Sequence, residues 1–335
     1  MAATNPVAGI ATSYDLPQYL GELFQKYEKP NAFLRMIGGL TGGVSLVTTQ
    51  KYAMGQDYTL PDADPAGKLE GAAPVISEIG TEQNSNILQI FQEGVGLTYS
   101  AQGATGTLAG VIAIPGQASN GSVLNVRSIE WQRARKIELI ARHANVAFLK
   151  GTYQEPTTAA TPRQTRGVRS AIVTHKFANP AAAGTARPMT KAVLETALSA
   201  LVTDKVMEMG AEVYAFADAT QFGVLSDLNM LPGGTTAQVV MQPGATRAGI
   251  GVKQLQSKWA IVNLVWEPDM NPGEVLLVQP QMCRVRAMAI PGKGVFFSEP
   301  LAKTGSSDTE QLYGEFGVDY RDEIFHALIT DLATS

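Results

Sequence analysis

Cys283 is the only cysteine in this chain of 335 residues. That excludes an internal disulfide and any cysteine-based zinc site, and it removes the small disulfide scaffold from consideration. No apolar run approaches the roughly 18–20 residues a membrane helix needs. The opening MAATNPVAGIATSYD lacks the basic start and apolar core of a signal peptide. Charge is scarce as well. Asp, Glu, Lys and Arg make up 17% of the chain, against roughly a quarter in an ordinary soluble domain. With 26 Lys+Arg against 30 Asp+Glu the net charge is −4, which does not suit a dedicated DNA reader. Catalytic signatures are missing too: there is no GxxxxGK[ST], HExxH, GxSxG or CxxC. Gly249 and Gly251 start a GxG, but Gln254 stands where a third glycine belongs.

What is present is Gly (33 residues) and a 45% apolar content. Low charge has two readings: a large core, or surface covered by partners. Residues 1–14 read as an extended arm. Asp15 and Pro17 start a helix carrying Leu16, Leu20, Leu23, Phe24 and Tyr27, which Pro30 stops. Ala32–Ile37 is short and apolar, bounded by glycines. Residues 44–105 carry Thr-, Tyr- and Val-rich runs on either side of a polar stretch at Pro61–Pro74. A long structureless insertion inside a compact body is unusual, so an extended outward hairpin is expected, with a disordered insertion as the alternative.

After a Gly/Ala/Pro/Ser-rich loop at 106–122, residues 127–151 have the clearest helical period. Ile137, Ile140, Ala141, Ala144 and Phe148 form the apolar stripe, and Gly151 follows the end. At about 1.5 Å per residue this helix would be close to 37 Å long. Its other face carries Arg127, Arg133, Arg135, Lys136 and Arg142 against Glu130 and Glu138. That face is either solvated or turned to an acidic neighbour or nucleic acid. Ser170–Thr174 is strand-like. Thr190 caps a helix that Gly210 ends; EVYAFA (212–217) and KWAIVNLVW (258–266) are buried strands around a short helix at Ala219–Leu228. In the tail, Leu312, Phe316, Val318 and Tyr320 alternate as in a strand, and Ile324–Leu332 is again strand-like. His326, with Asp322 and Glu323 nearby, is the one histidine near carboxylates, but strand geometry separates positions i and i+4 by about 13 Å. An enzyme built on Asp322 and His326 is therefore the weakest alternative. Cys283 reads as an ordinary half-buried thiol. No metal site, cofactor or catalytic residue is expected.

The order of parts, arm, β excursion, long helix, α/β module, closing strands, resembles the major capsid proteins of tailed double-stranded DNA phages with the Hong Kong 97-type (Johnson) fold. EPLAKTGSSDTEQLYGEFGVDYRDEIFHALITDL (299–332) resembles the closing segment of the SU-ten-like subgroup, where Asp322, Glu323, His326, Ala327 and Ile329 match its end. NILQIFQEGVGLTYSA (86–101) resembles the strand closing the E-loop, and IEWQRARKIELIARHANVAFLKG (129–151) the spine helix, followed by Arg166-Gly167. The resemblance implies an α+β capsid fold: an N-terminal arm at 1–43, an E-loop at 44–105, a P-domain at 106–188 with its spine helix near 126–150, an A-domain at 189–288, and closing P-domain strands at 289–335. It implies a non-enzymatic shell subunit of a virion, assembled in the bacterial cytoplasm. Such a subunit forms pentamers and hexamers of an icosahedral head around double-stranded DNA, with portal, scaffold or decoration proteins as further partners. No cleavable N-terminal scaffold domain is expected. On this reading the excursion cannot bury its apolar residues on its own subunit, and Lys68, Glu70, Ile87, Ile90 and Phe91 contact a neighbour. An encapsulin-like nanocompartment shell is the alternative.

Overall fold

The computed structural model describes residues 31–58, 60, 66–71, 73, 76, 78–100, 129–158, 160–228, 245–247, 250–303 and 305–334. The arm, its expected helix, the loop at 106–122 and Arg127 lie outside these residues. The chain forms two compact units: 1–28, 93–138 and 298–312 in the smaller, and 29–92, 139–297 and 313–335 in the larger.

The larger unit is organised by a seven-stranded sheet in the order β5 (Lys176–Phe177), β14 (Ala327–Ile329), β10 (Val275–Val278), β6 (Glu212–Ala217), β9 (Ile261–Trp266), β8 (Ile250–Gln256), β7 (Ala245–Arg247). Only β6–β9 and β14–β5 run parallel in it. Alternation sorts the side chains. Val213, Ala215, Val262, Leu264, Val275 and Leu277 face one way, onto Leu194, Leu198 and Leu201 of a helix at Lys191–Thr203 and Leu225 of another at Ala219–Asp227. On the opposite face Phe216 meets Phe33 edge-on, with ring centroids 5.4 Å apart. The sheet takes β14 and β5 from outside 189–288, while β11 (Arg284–Met288) joins a second sheet. That sheet runs β1 (Ser45–Val47), β11, β13 (Ser307–Asp319), β12 (Phe296–Pro300), with β4 (Gln89–Thr98) also paired to β13.

Three local expectations are corrected. The helix capped by Thr190 ends at Thr203 and not at Gly210. Lys205 takes the left-handed conformation (φ 61°) there, donating to Val202 O while Val206 N–H reaches Leu201 O. These two bonds close the helix as a Schellman turn, with lysine where glycine is usual. Ser170–Thr174 is not a strand. A short helix at Val168–Ala171 stands there, and the Ser170 hydroxyl donates to Lys150 O. The run from Ile324 begins as a 3-10 turn, Glu323–Phe325, which Asp322 caps by accepting from Ile324 N–H.

The long helix is seen at Ile129–Lys150. Its part in the larger unit buries Ile140, Ala144, Phe148, Leu149 and Asn145, whereas Ile137 is 40% exposed. The buried stripe includes a polar residue because Asn145 serves a backbone. α1 (Ala32–Met36) has no capping side chain of its own. Leu34 N–H donates to Asn145 Oδ1 (3.0 Å), and Phe33 N–H to Glu267 Oε2 (3.0 Å). Asn145 Nδ2 in turn donates to Glu267 Oε1 at 3.2 Å. Two remote side chains thus satisfy helix-start donors that would otherwise be orphaned. Burial pushes the Glu267 carboxyl up to about 7, against the pull of Phe33 and Asp269 N–H; the Asp269 charge adds to the rise.

Gly167 packs against the end of the long helix. A Cβ there would lie 2.6 Å from Leu149 C and Lys150 N, backbone atoms that cannot step aside. Gly167→Ala is expected to cost at least about 2 kcal/mol in urea unfolding. A separate test concerns Glu267. Its proton is held more tightly in the folded chain than in the unfolded one, so its contribution is complete below about pH 4.5 and is lost as pH rises through about 7. Glu267→Gln should therefore make the slope of unfolding free energy against pH more positive across that window. An unchanged slope would contradict the assignment.

Candidate assembly site

β2 (Lys51–Tyr58) and β3 (Thr81–Ile87) form a two-stranded antiparallel ribbon from Lys51↔Ile87 to Tyr58↔Thr81. A two-stranded hairpin therefore lies within 44–105. Its register slips once: Ala53 faces Ser85 and Gly55 faces Asn84, leaving Met54 as a bulge. Gly55 has φ 150°, a value that suits glycine.

The base of the ribbon is bound by one side chain. Asn86 is fully buried. Its Nδ2 donates to Arg166 O (3.0 Å) and Val318 O (2.9 Å), and its Oδ1 accepts from Arg166 N–H and Ile87 N–H, both 2.9 Å. All the bonding capacity expected of an amide is used. Beside it the Tyr52 hydroxyl also donates to Val318 O, at 2.8 Å. Burial holds that phenol well above its ordinary value, so it stays a donor. Gly317 lies under the ring: a Cβ there would come 2.5 Å from the hydroxyl. Farther out, Lys51 Nζ pairs with Glu155 (3.0 Å), whose carboxylate also accepts from Tyr153 OH (2.9 Å), and Arg166 stacks over Tyr153. The Glu155 hydrogen bond is the main reason the Lys51 pKa is raised.

Past the bulge the picture inverts. Thr81–Asn84 are exposed, and so are the apolar residues of the excursion: Tyr58 is 64% exposed, Leu69 83% and Ile76 95%. Lys68 and Glu70 are exposed too.

The contact set expected from the sequence divides. Ile90 is 40% exposed, but Ile87 and Phe91 are 3% and 4% exposed and belong to the chain's own core. Phe91 packs edge-on against Phe148 (6.2 Å) and at a tilt against Phe316 (6.3 Å). Pairing of β4 with β13 turns alternate residues, Phe91 and Val95, inward. The expectation that the whole excursion fails to bury apolar side chains on its own subunit is therefore corrected. Tyr52, Met54, Ile87, Leu88 and Phe91 are buried, while Leu46, Tyr58, Leu69, Ile76 and Ile90 are exposed.

In the smaller unit the basic helix face meets acids of its own chain. Arg133 makes a fork on Glu310 (2.7–3.0 Å), Lys136 pairs with Glu93 (2.8 Å), and Arg135 pairs with Glu138 (2.9 Å) while lying over Trp131. Those three charges do not make a bare positive surface. Arg142 is half-buried.

The Asp322/His326 cluster is not assembled as a reactive site. His326 is completely buried; its Nε2 lies 3.1 Å from Tyr320 O, and its Nδ1 accepts from Gln279 N–H (3.4 Å). Burial pushes its pKa down to about 4. Asp322 instead caps Ile324 N–H and accepts from Asn84 Nδ2. Cys283 is buried rather than half-buried, and that burial raises its thiol pKa. Among the described residues, no group of three or more His, Cys, Asp or Glu is placed to hold a metal, and no helix is long and apolar enough to cross a membrane.

The arrangement is a ribbon held at its base by Asn86, with Leu69 and Ile76 exposed in the excursion beyond it. The profile of the SU10 major capsid protein family matches residues 6–333. The chain belongs to that family. It is a shell protein of the virion with the Hong Kong 97-type fold. Among solved structures it is similar to the cyanophage A-1(L) capsid subunit (TM-score 0.64, 12% identity, 96% of this chain and 98% of that one). It is similar also to the capsid of the native GTA particle (TM-score 0.58, 13%, 99% and 100%). A third is the SrpI encapsulin of Synechococcus elongatus PCC 7942 (TM-score 0.59, 9%, 99% and 98%). No curated protein matches in sequence. Neither Asn86 nor Gly167 was a candidate beforehand, although both lie inside motifs that carried the resemblance.

Tyr52 and Gly317 give a direct test of the base. Tyr52→Phe should cost only about 1 kcal/mol, because Asn86 still donates to Val318 O. Gly317→Ala should cost more, and the double variant should be more stable than the sum of the two losses, because removing the hydroxyl makes room for the methyl. Strict additivity in urea melts would show that the two do not touch.

Proposed function

We propose that this shell protein assembles by laying the distal ribbon and the excursion at 58–80 over an adjacent copy of itself. The observation that carries this is the exposure of Leu69 (83%) and Ile76 (95%) on an excursion with a clamped base. A lone two-stranded ribbon is marginal in water, and covering exposed apolar side chains such as Leu69 and Ile76 with a partner is favourable. A neighbour supplies the missing cover at about 25 cal/mol per Å² of apolar area. On this reading Lys68, Glu70 and Ile90 lie at the contact.

The rest of the reading follows the fold. Copies form pentamers and hexamers, which close into an icosahedral head around double-stranded DNA, assembled in the host cytoplasm. The arm at 1–43, E-loop at 44–105, P-domain at 106–188 and 289–335, and A-domain at 189–288 are its parts. Arg127 and Arg142 are its remaining basic candidates for contact with DNA or a neighbour. Portal, scaffold and decoration proteins are its further partners, and it has no catalytic role, cofactor or metal. The likeness to the SrpI encapsulin supports a second reading, a nanocompartment without genome. Particles from infected cells that protect nuclease-resistant DNA support the first reading, and protein-filled particles the second.

Replacing residues 60–79 by an Asn-Gly turn should leave a folded subunit that makes no stable shells by negative-stain microscopy. Normal shells from that variant would rule out the contact.

A further inference from the structure

A ribbon that must reach a neighbour is useful only if it leaves its own subunit in a fixed direction. Two strands joined only to each other cannot set that direction, so the base must. Three separate parts of the chain converge there: β3, the turn at Arg166, and β13. Asn86 bonds to each of them. The Lys51–Glu155 pair is half exposed on both sides, and such pairs contribute little. The Tyr52 hydroxyl donates to Val318 O, an acceptor that keeps a second donor. Asn86 is different. Its loss leaves Arg166 N–H without that buried acceptor and removes the side-chain tie between β3 and both other elements.

We propose that Asn86 is the positioning residue for the ribbon, fixing its exit direction through the Arg166 peptide and the Val318 carbonyl. This rests on the overlap reading above and adds a named residue to it. The residue makes no intersubunit contact; it is buried within its own chain and acts through the strand it belongs to. Aspartate at this position keeps the oxygen that accepts from Ile87 and Arg166 but loses both donated bonds. It separates the two halves of the role.

The test compares the full-length parent with Asn86→Ala, Asn86→Asp and Leu198→Ala. Leu198 lies in the sheet–helix core, so its variant loses stability without touching the ribbon. Hydrogen exchange on unassembled subunits and the concentration threshold for shell formation by light scattering are both read. In Asn86→Ala the amides of β2 and β3 should exchange at least about tenfold faster while those of β6 and β9 hold. The assembly threshold should rise by about tenfold or more. Asn86→Asp sets a carboxyl oxygen against the Arg166 and Val318 carbonyls, so near neutral pH it should disturb the ribbon at least as much as the alanine variant. At low pH the protonated acid can donate to one of them and exchange should recover toward the parent, which supplies the measurement if the alanine variant does not fold. Leu198→Ala should melt lower yet assemble near the parent threshold. Two results overturn the proposal: assembly of both Asn86 variants at the parent threshold while the 60–79 replacement fails, or an equal assembly loss in Leu198→Ala. Normal shells from the 60–79 replacement would instead remove the overlap reading, and the exchange rates would still decide whether Asn86 fixes the ribbon.

Discussion

A buried amide must find a partner for each of its polar atoms or it costs more than it contributes. Asn86 meets that condition completely, and the working geometry depends on it. Because three of its four bonds reach Arg166 and Val318, and the fourth its own strand at Ile87, the ribbon starts from a fixed base. The far end, by contrast, leaves Leu69 and Ile76 exposed. Satisfied polarity at one end and unsatisfied apolar surface at the other are two sides of one design.

The same logic recurs where charge is buried. Glu315 meets Arg163 and the Tyr313 hydroxyl, and Asp319 meets Arg286 at 2.6 Å. These residues occupy the second face of β13, whose first face holds Phe316 and Val318. That strand is hidden on both sides from Gly314 onward, and one of its sides is largely polar. A chain with little charge therefore places part of it inside, where each ion is matched. Glu267 follows the pattern without a cation: backbone and amide N–H groups surround it.

Much of this was legible from residue order. The alternation of Leu312, Phe316 and Val318 marked a strand because period two survives in any sheet, and the helix of Val193, Leu194 and Leu198 declared itself by period and cap. The long helix was found too, and Ile140, Ala144 and Phe148 of its expected stripe are buried; Ile137 is not, and Asn145 was missed because it is polar and hydrophobic periodicity passes over it. Phe91 was assigned to a neighbour because its partners Phe148 and Phe316 lie far along the chain, and no local pattern records a pairing of β4 with β13. Asn86 was the most hidden. A single asparagine ahead of an apolar run looks the same whether it meets water or two distant carbonyls.

The bulge at Met54 carries one more consequence. Tyr52 pairs with Asn86, on the side that faces the body, and Tyr58 pairs with Thr81, in step with Ser85 and Ala53. The two tyrosines are six positions apart, an even step that in a regular strand would aim them alike. The single unpaired residue changes the parity. One phenol is turned inward to seal the root of the ribbon, and the other looks out from the opposite side.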